Sequence, residues 1–220
     1  MLLIGVCAFV ANDLDDIEAD CINHPERPLP SKNVSPLFAA GIYFVCLAAA
    51  LLTTRVFVPS RVAFLYYVTV TLTISYRYVV AFVPNVKALY SAGTIAVPAR
   101  IVADFNGREP RLYIVVIAVF AFALGRELCM DVVDRAGDRM SLMHRFKPNS
   151  IAIFAFLLQT ASLLLILVSF SRFDPWAVVD LTALAALLVL AGVYWFRLDR
   201  HSTATDVMKL QLLLGLYFLA

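Results

Sequence analysis

The sequence predicts an all-α polytopic membrane protein, a helical bundle of about seven spans plus an N-terminal partial span. Three observations lead there. Hydrophobic residues make up 62% of the 220 residues, against roughly 45–50% in an average soluble domain, and the mean hydropathy is +0.84. Ser35–Thr54 and Pro148–Ser171 run for 20 and 24 residues without a charge, and about 20 apolar residues cross a hydrocarbon core as a helix. The apolar runs also fail to alternate with polar residues, so they do not read as strands of a closed barrel. A barrel is the other fold that satisfies its backbone in lipid.

The elements follow in order. Met1–Ala11 is apolar but only half a span long. An acidic stretch, Asn12–Asp20, follows it, and then a loop stiffened by Pro25, Pro28 and Pro30, whose rings fix their backbone torsions. Ser35–Thr54 is the first full span. Val62–Val83 is interrupted by Arg77, Ala88–Ala103 by Arg100, and Leu112–Met130 by Arg126 and Glu127. Pro148–Ser171 is uncharged, Pro175–Phe196 holds Asp180, and Val207–Ala220 is a shorter last span. The whole chain, residues 1–220, reads as one transmembrane domain.

Charge narrows the partners. The net charge is +2, with no basic tract and no interleaving of aromatic and basic residues, so the expected surroundings are a lipid bilayer and not nucleic acid. Cys7, Cys21, Cys46 and Cys129 show no metal or redox spacing and read as reduced residues of spans and span ends. His24, His144 and His201 are scattered and read as surface-loop residues. If the acidic stretch near residue 12 faces the cytoplasm, alternation of the spans puts twelve of the eighteen basic residues on that side. The excess of lysine and arginine on cytoplasmic loops then places both acidic clusters there.

The acidic clusters carry the chemistry. Asn12, Asp16 and Asp20 are spaced i, i+4, i+8, and Asp131, Asp134 and Asp138 are spaced i, i+3, i+7. On a helix each set falls on one face. Each set ends an apolar span, and four spans separate them. Alone, either cluster would read as a solvated loop. Two matched clusters on one side of a membrane invite a different reading, because clustered carboxylates repel one another near a low dielectric. Magnesium prefers oxygen donors and is commonly held by one or two carboxylates together with substrate phosphates. Facing clusters therefore suit a diphosphate bridged by metal ions, whose charge helps a carbon–oxygen bond ionise. Asp13, Asp15 and Glu18 point to other faces and read as solvated. Arg27, in the proline-rich loop, can grip a phosphate oxygen in a fork or simply pair with the acids.

These residues resemble the UbiA superfamily of intramembrane prenyltransferases. The family's first motif, N-D-x-x-D-x-x-x-D followed by R-P-x-P-S, is matched by Asn12, Asp13, Asp16 and Asp20 and then Arg27-Pro28-Leu29-Pro30-Ser31. Its second, R-E-x-x-x-D-x-x-D-x-x-G-D, is matched by Arg126, Glu127, Asp131, Asp134, Gly137 and Asp138. The resemblance implies nine membrane helices around a cavity and a magnesium-dependent prenyltransferase, with manganese as a substitute. A prenyl diphosphate would ionise there, and a lipophilic acceptor would attack the allylic cation. Asn12, Asp16, Asp20, Asp131, Asp134 and Asp138 would bind metal, with Asp16, Asp20, Asp134 and Asp138 as the catalytic core. Arg27 would bind the diphosphate. Where many members carry a tyrosine and then a lysine–arginine pair, this chain has Tyr76, Arg77 and Lys87, with apolar residues at the place of the pair itself; the resemblance implies diphosphate binding by Tyr76 and by Lys87 or Arg77 in place of the pair.

The resemblance also implies a truncated start, with the first family helix missing and the second shortened. Eleven residues of helix cover about 16 Å, half the hydrocarbon core. The first motif is then expected to be poorly anchored, and residues 1–220 to be weakly active or inactive unless extended upstream by one and a half spans. Aromatic, quinone-like and glycerol-ether acceptors all suit an apolar cavity with a polar mouth. Two readings compete with prenyl transfer: an ion-translocating protein, for which Asp180 is the mid-span acid able to relay cations, and an inactive relative that keeps the scaffold.

Overall fold

A computed structural model describes residues 2–83, 86–105, 110–134, 146–169 and 175–217. Among these the chain forms nine helices: α1 (Leu2–Asp15), α2 (Ile17–Asn23), α3 (Pro36–Phe57), α4 (Ser60–Phe82), α5 (Lys87–Phe105), α6 (Pro110–Val133), α7 (Pro148–Ser169), α8 (Pro175–Phe196) and α9 (His201–Tyr217). The seven expected spans are α3 to α9, and the partial span is α1. Proline opens α3, α6, α7 and α8, since a first-turn residue needs no N–H partner and proline's fixed torsion suits the position. At α3 the Ser35 hydroxyl accepts from the Phe38 amide at 3.2 Å, capping the helix.

The protein is an integral membrane protein. Among the described residues, α3, α6 and α7 are long and apolar enough to cross a bilayer. Their outward faces carry large apolar side chains with nothing over them, such as Leu37, Phe44 and Phe57 on α3 and Phe154, Leu157 and Val168 on α7. A contiguous apolar surface of that kind is stable against lipid and not against water. The apolar stretches Val62–Tyr76 of α4 and Leu181–Phe196 of α8 are shorter. In α5 Lys87, Arg100, Asp104 and an internal proline, Pro98, break up the apolar sequence.

The chain divides into two compact units, residues 1–87 with 134–141, and residues 88–133 with 142–220. In the first, α1 packs on α3 and α4. Ile4, Ala50 and Val70 form its core, with Leu3, Leu47 and Tyr66 around them, and the buried Cys7 thiol points at the Tyr43 carbonyl, 3.6 Å away. α1 thus has a seam of packed side chains leading up to the first motif.

In the second unit the principal seam joins α6 to α7. Gly125 of α6 lies so close to α7 that a Cβ there would stand 2.6 Å from the Ala155 carbonyl oxygen. Small residues let membrane helices approach in this way, and Ala118, Ala123, Ala152 and Ala155 are fully buried beside it. Two interhelical hydrogen bonds add to the packing: the Ser162 hydroxyl donates to the Ala118 carbonyl at 2.7 Å, and the Gln211 amide donates to the Leu184 carbonyl at 3.0 Å.

Candidate functional site

The first motif lies where α1 gives way to α2. Asp16 sits at the junction with φ −92° and ψ 7°. The helical ladder nonetheless continues through it, because the Asp16 amide donates to the Asn12 carbonyl at 2.9 Å and the Asp20 amide to the Asp16 carbonyl at 2.7 Å. Asn12, Asp16 and Asp20 therefore stay one turn apart on one face, as their spacing requires. The Asn12 side-chain amide donates to Asp16 Oδ2 at 2.9 Å. Asp13 and Glu18 are exposed and Asp15 is half-buried.

The proline-rich loop folds back over this face. Its backbone is pinned by bonds from Arg27 to His24, Ser31 to Arg27 and Val34 to Pro28, with Lys32 in the left-handed region at φ 62°. Arg27 Nη1 thereby reaches both oxygens of Asp20, at 2.9 and 2.8 Å. Asp20 is almost wholly buried, at 5% exposure, and a buried carboxylate needs such a partner. Burial works against the Arg27 charge. The hydrogen bonds to Asp20 and the charges of Asp20, Asp13 and Asp134 outweigh it, so the guanidinium pKa is raised. Of the two roles open to Arg27 in the sequence, pairing with the acids is the one seen.

Asp134 of the second motif belongs to the same compact unit. Its Oδ1 lies 3.0 Å from His24 Nε2, and its backbone carbonyl accepts from the Asn23 amide at 2.9 Å. The surface-loop reading of His24 is thus corrected: its side chain is only 20% exposed and is engaged with a motif carboxylate. Asn23 could have been found from spacing, since it continues the face of Asn12, Asp16 and Asp20 at i+11. His24 could not, because its partner lies 110 residues away.

Asp131 is buried on α6, one helical turn beyond Glu127, which pairs with Arg126. Tyr76 is half-buried on α4, and Lys87 is half-buried as the first residue of α5. Asp138 and the side chains of Arg77 and Asp180 lie outside the described residues. Among the described residues no three histidine, cysteine or acidic side chains converge closely enough to hold a metal ion. The donor set still fits magnesium, because it offers carboxylate and amide oxygens. Three of its members already hold positive or donor groups, Asp16 from Asn12, Asp20 from Arg27 and Asp134 from His24, as acids gathered in a low dielectric must.

Residues 1–215 match the model of the UbiA prenyltransferase family. The chain belongs to that family. Among its UbiA relatives, a digeranylgeranylglyceryl phosphate synthase of Sulfolobus acidocaldarius is 29% identical over 144 residues, covering 62% of this chain and 50% of the relative. A protein of the same name from Methanoculleus marisnigri is 27% identical over 207 residues, covering 87% and 71%. The chain thus spans between half and seven-tenths of the length of these relatives. Its fold is similar to that of a solved structure described as giving insights into digeranylgeranylglyceryl phosphate synthase in membranes. The TM-score is 0.61 at 19% identity, over 99% of this chain and 83% of the other.

Proposed function

We propose that this UbiA protein transfers a prenyl group from a prenyl diphosphate to a glycerol-ether acceptor inside the membrane, and that the whole chain acts as one domain in doing so. The observation that supports the reading is that Asp134 of the second motif is hydrogen-bonded to Asn23 and His24, which directly follow Asn12, Asp16 and Asp20. The names of the relatives favour a glycerol phosphate bearing geranylgeranyl chains as the product.

Magnesium is the expected cofactor, with manganese able to replace it. Asn12, Asp16, Asp20, Asp131, Asp134 and Asp138 are the residues proposed to hold it. When bound, it supplies the positive charge that a departing diphosphate requires. Arg27 has a guanidinium aimed at Asp20 and can turn a second donor pair to a phosphate oxygen. Lys87, Arg77 and Tyr76 are proposed to complete the diphosphate pocket. In the reaction the allylic carbon–oxygen bond breaks, and its electron pair leaves with the diphosphate. An acceptor hydroxyl oxygen forms the new bond to carbon and gives up its proton. The apolar faces of the spans keep water from the cation. Both motifs are proposed to face the cytoplasm, in keeping with the bias of lysine and arginine.

The test is a membrane assay with labelled prenyl diphosphates against glycerol-ether, quinone-like and aromatic acceptors. Magnesium-dependent labelling of a glycerol-ether acceptor is the expected result. Labelling of an aromatic acceptor alone would keep the enzyme class and reject the acceptor.

A further inference from the structure

Asn23 and His24 stand side by side at the end of α2, and both donate to one residue. Asn23 Nδ2 bonds the Asp134 backbone carbonyl at 2.9 Å, and His24 Nε2 bonds the Asp134 carboxylate at 3.0 Å. A carboxylate can only accept, so Nε2 carries the hydrogen. The two bonds act on different parts of Asp134. One takes up a carbonyl of the kind left without an intrahelical partner where a helix ends, and so fixes the backbone. The other fixes the rotation of the side chain. The donors are themselves held firmly. The His24 amide donates to the Asp20 carbonyl at 2.8 Å, and the His24 carbonyl accepts from the Arg27 amide at 3.1 Å.

The His24 bond engages Oδ1 of Asp134, and so fixes the direction in which the other carboxylate oxygen faces. We propose that Asn23 and His24 are positioning residues that clamp Asp134 onto the first-motif loop and thereby set the affinity for the divalent cation and diphosphate, without touching either. The proposal rests on the prenyl-transfer reading for its ligand and on the two hydrogen bonds for its geometry.

The experiment compares the unsubstituted protein with His24→Ala and His24→Gln, glutamine keeping an N–H at similar reach. Manganese binding is titrated by electron paramagnetic resonance in the presence of inorganic diphosphate. Prenyl transfer is followed in parallel against magnesium and acceptor concentration, and thermal unfolding is recorded for each variant. Removing the partner of a metal-ligating group weakens metal binding about 10–100-fold. His24→Ala should therefore bind manganese about tenfold more weakly and need about tenfold more magnesium for half-maximal rate. Acceptor KM should not change, and His24→Gln should stay within about threefold of the unsubstituted protein. Equal manganese affinity in His24→Ala and the unsubstituted protein would overturn the clamp. So would a loss that glutamine does not restore. If His24→Ala fails to fold, manganese binding by His24→Gln decides alone: near-normal affinity supports the clamp, and a loss of tenfold or more rejects it. Absence of prenyl transfer by the unsubstituted protein, with the expected pattern in manganese binding, would reject the enzymatic reading and leave the clamp standing.

Discussion

The first motif sits where α1 gives way to α2, and directed polar bonds hold it; the second begins on the unbroken α6, and close packing holds it. Around the first, Asn12 bonds Asp16, Arg27 bonds Asp20, and His24 bonds the incoming Asp134. Along α6, Asp131 is buried on a helix whose other face is pressed to α7 at Gly125. Polar partners can be exchanged for a ligand, one for one, at small net cost. Helix packing cannot, because a close-packed seam yields only with strain. In this protein the first motif with its loop is therefore an adaptable segment, and α6 is a rigid one.

The largest effect is expected at the α6–α7 seam. Gly125→Leu drives a side chain into the Ala155 carbonyl, with a backbone atom 2.6 Å from the new Cβ. Overpacking of this kind costs about 1–3 kcal/mol or more, so a sharp fall in thermal stability and in monodisperse yield is expected. Gly41→Leu is the control. It lies in α3 with nothing within 4 Å of its Cβ position, and stability should not change. Equal losses in the two variants would mean that the α6–α7 approach is not what holds α6.

Next come the carboxylates. Asp16→Ala and Asp134→Ala should each lower kcat at least about a hundredfold, the scale seen when one group stabilising developing charge is removed. Unfolding transitions should remain, because both residues lie at helix ends. A near-normal rate for Asp134→Ala at saturating magnesium would remove the second motif from the site.

Arg27→Ala should have an intermediate effect. It leaves the buried Asp20 carboxylate without its bidentate partner, a change worth about 1–3 kcal/mol, and it should raise KM for the prenyl diphosphate about tenfold. Acceptor KM should stay constant. The smallest effect is expected from Lys87→Ala, a few-fold rise in prenyl diphosphate KM, since Lys87 lies at the first turn of α5 and outside the Asp20–Arg27 pair. A selective rise in acceptor KM for either variant would move that residue to the acceptor side.

Much of this architecture was legible in the sequence, and the limits have physical causes. Spans α3 and α7 were plain because an uncharged run of helical length has no other stable placement in lipid. Asn12, Asp16 and Asp20 were legible as one face because 3.6-residue periodicity is local. The hold of Arg27 on Asp20 was also local, seven residues apart and stiffened by prolines. His24 was misread because its significance lies in a contact 110 residues away. The closeness of α6 and α7 at Gly125 was missed for the same reason, since a glycine in an apolar helix does not announce the neighbour that needs it.

The acids of the two motifs are proposed to serve magnesium-assisted prenyl transfer. The most direct test is transfer from a labelled prenyl diphosphate to a glycerol-ether acceptor by the full gene product in membranes, measured with magnesium and again with excess EDTA. Labelled product is expected with magnesium, none with EDTA, and recovery when magnesium or manganese is restored. Full turnover in excess EDTA, or no transfer to any acceptor with magnesium present, would contradict it.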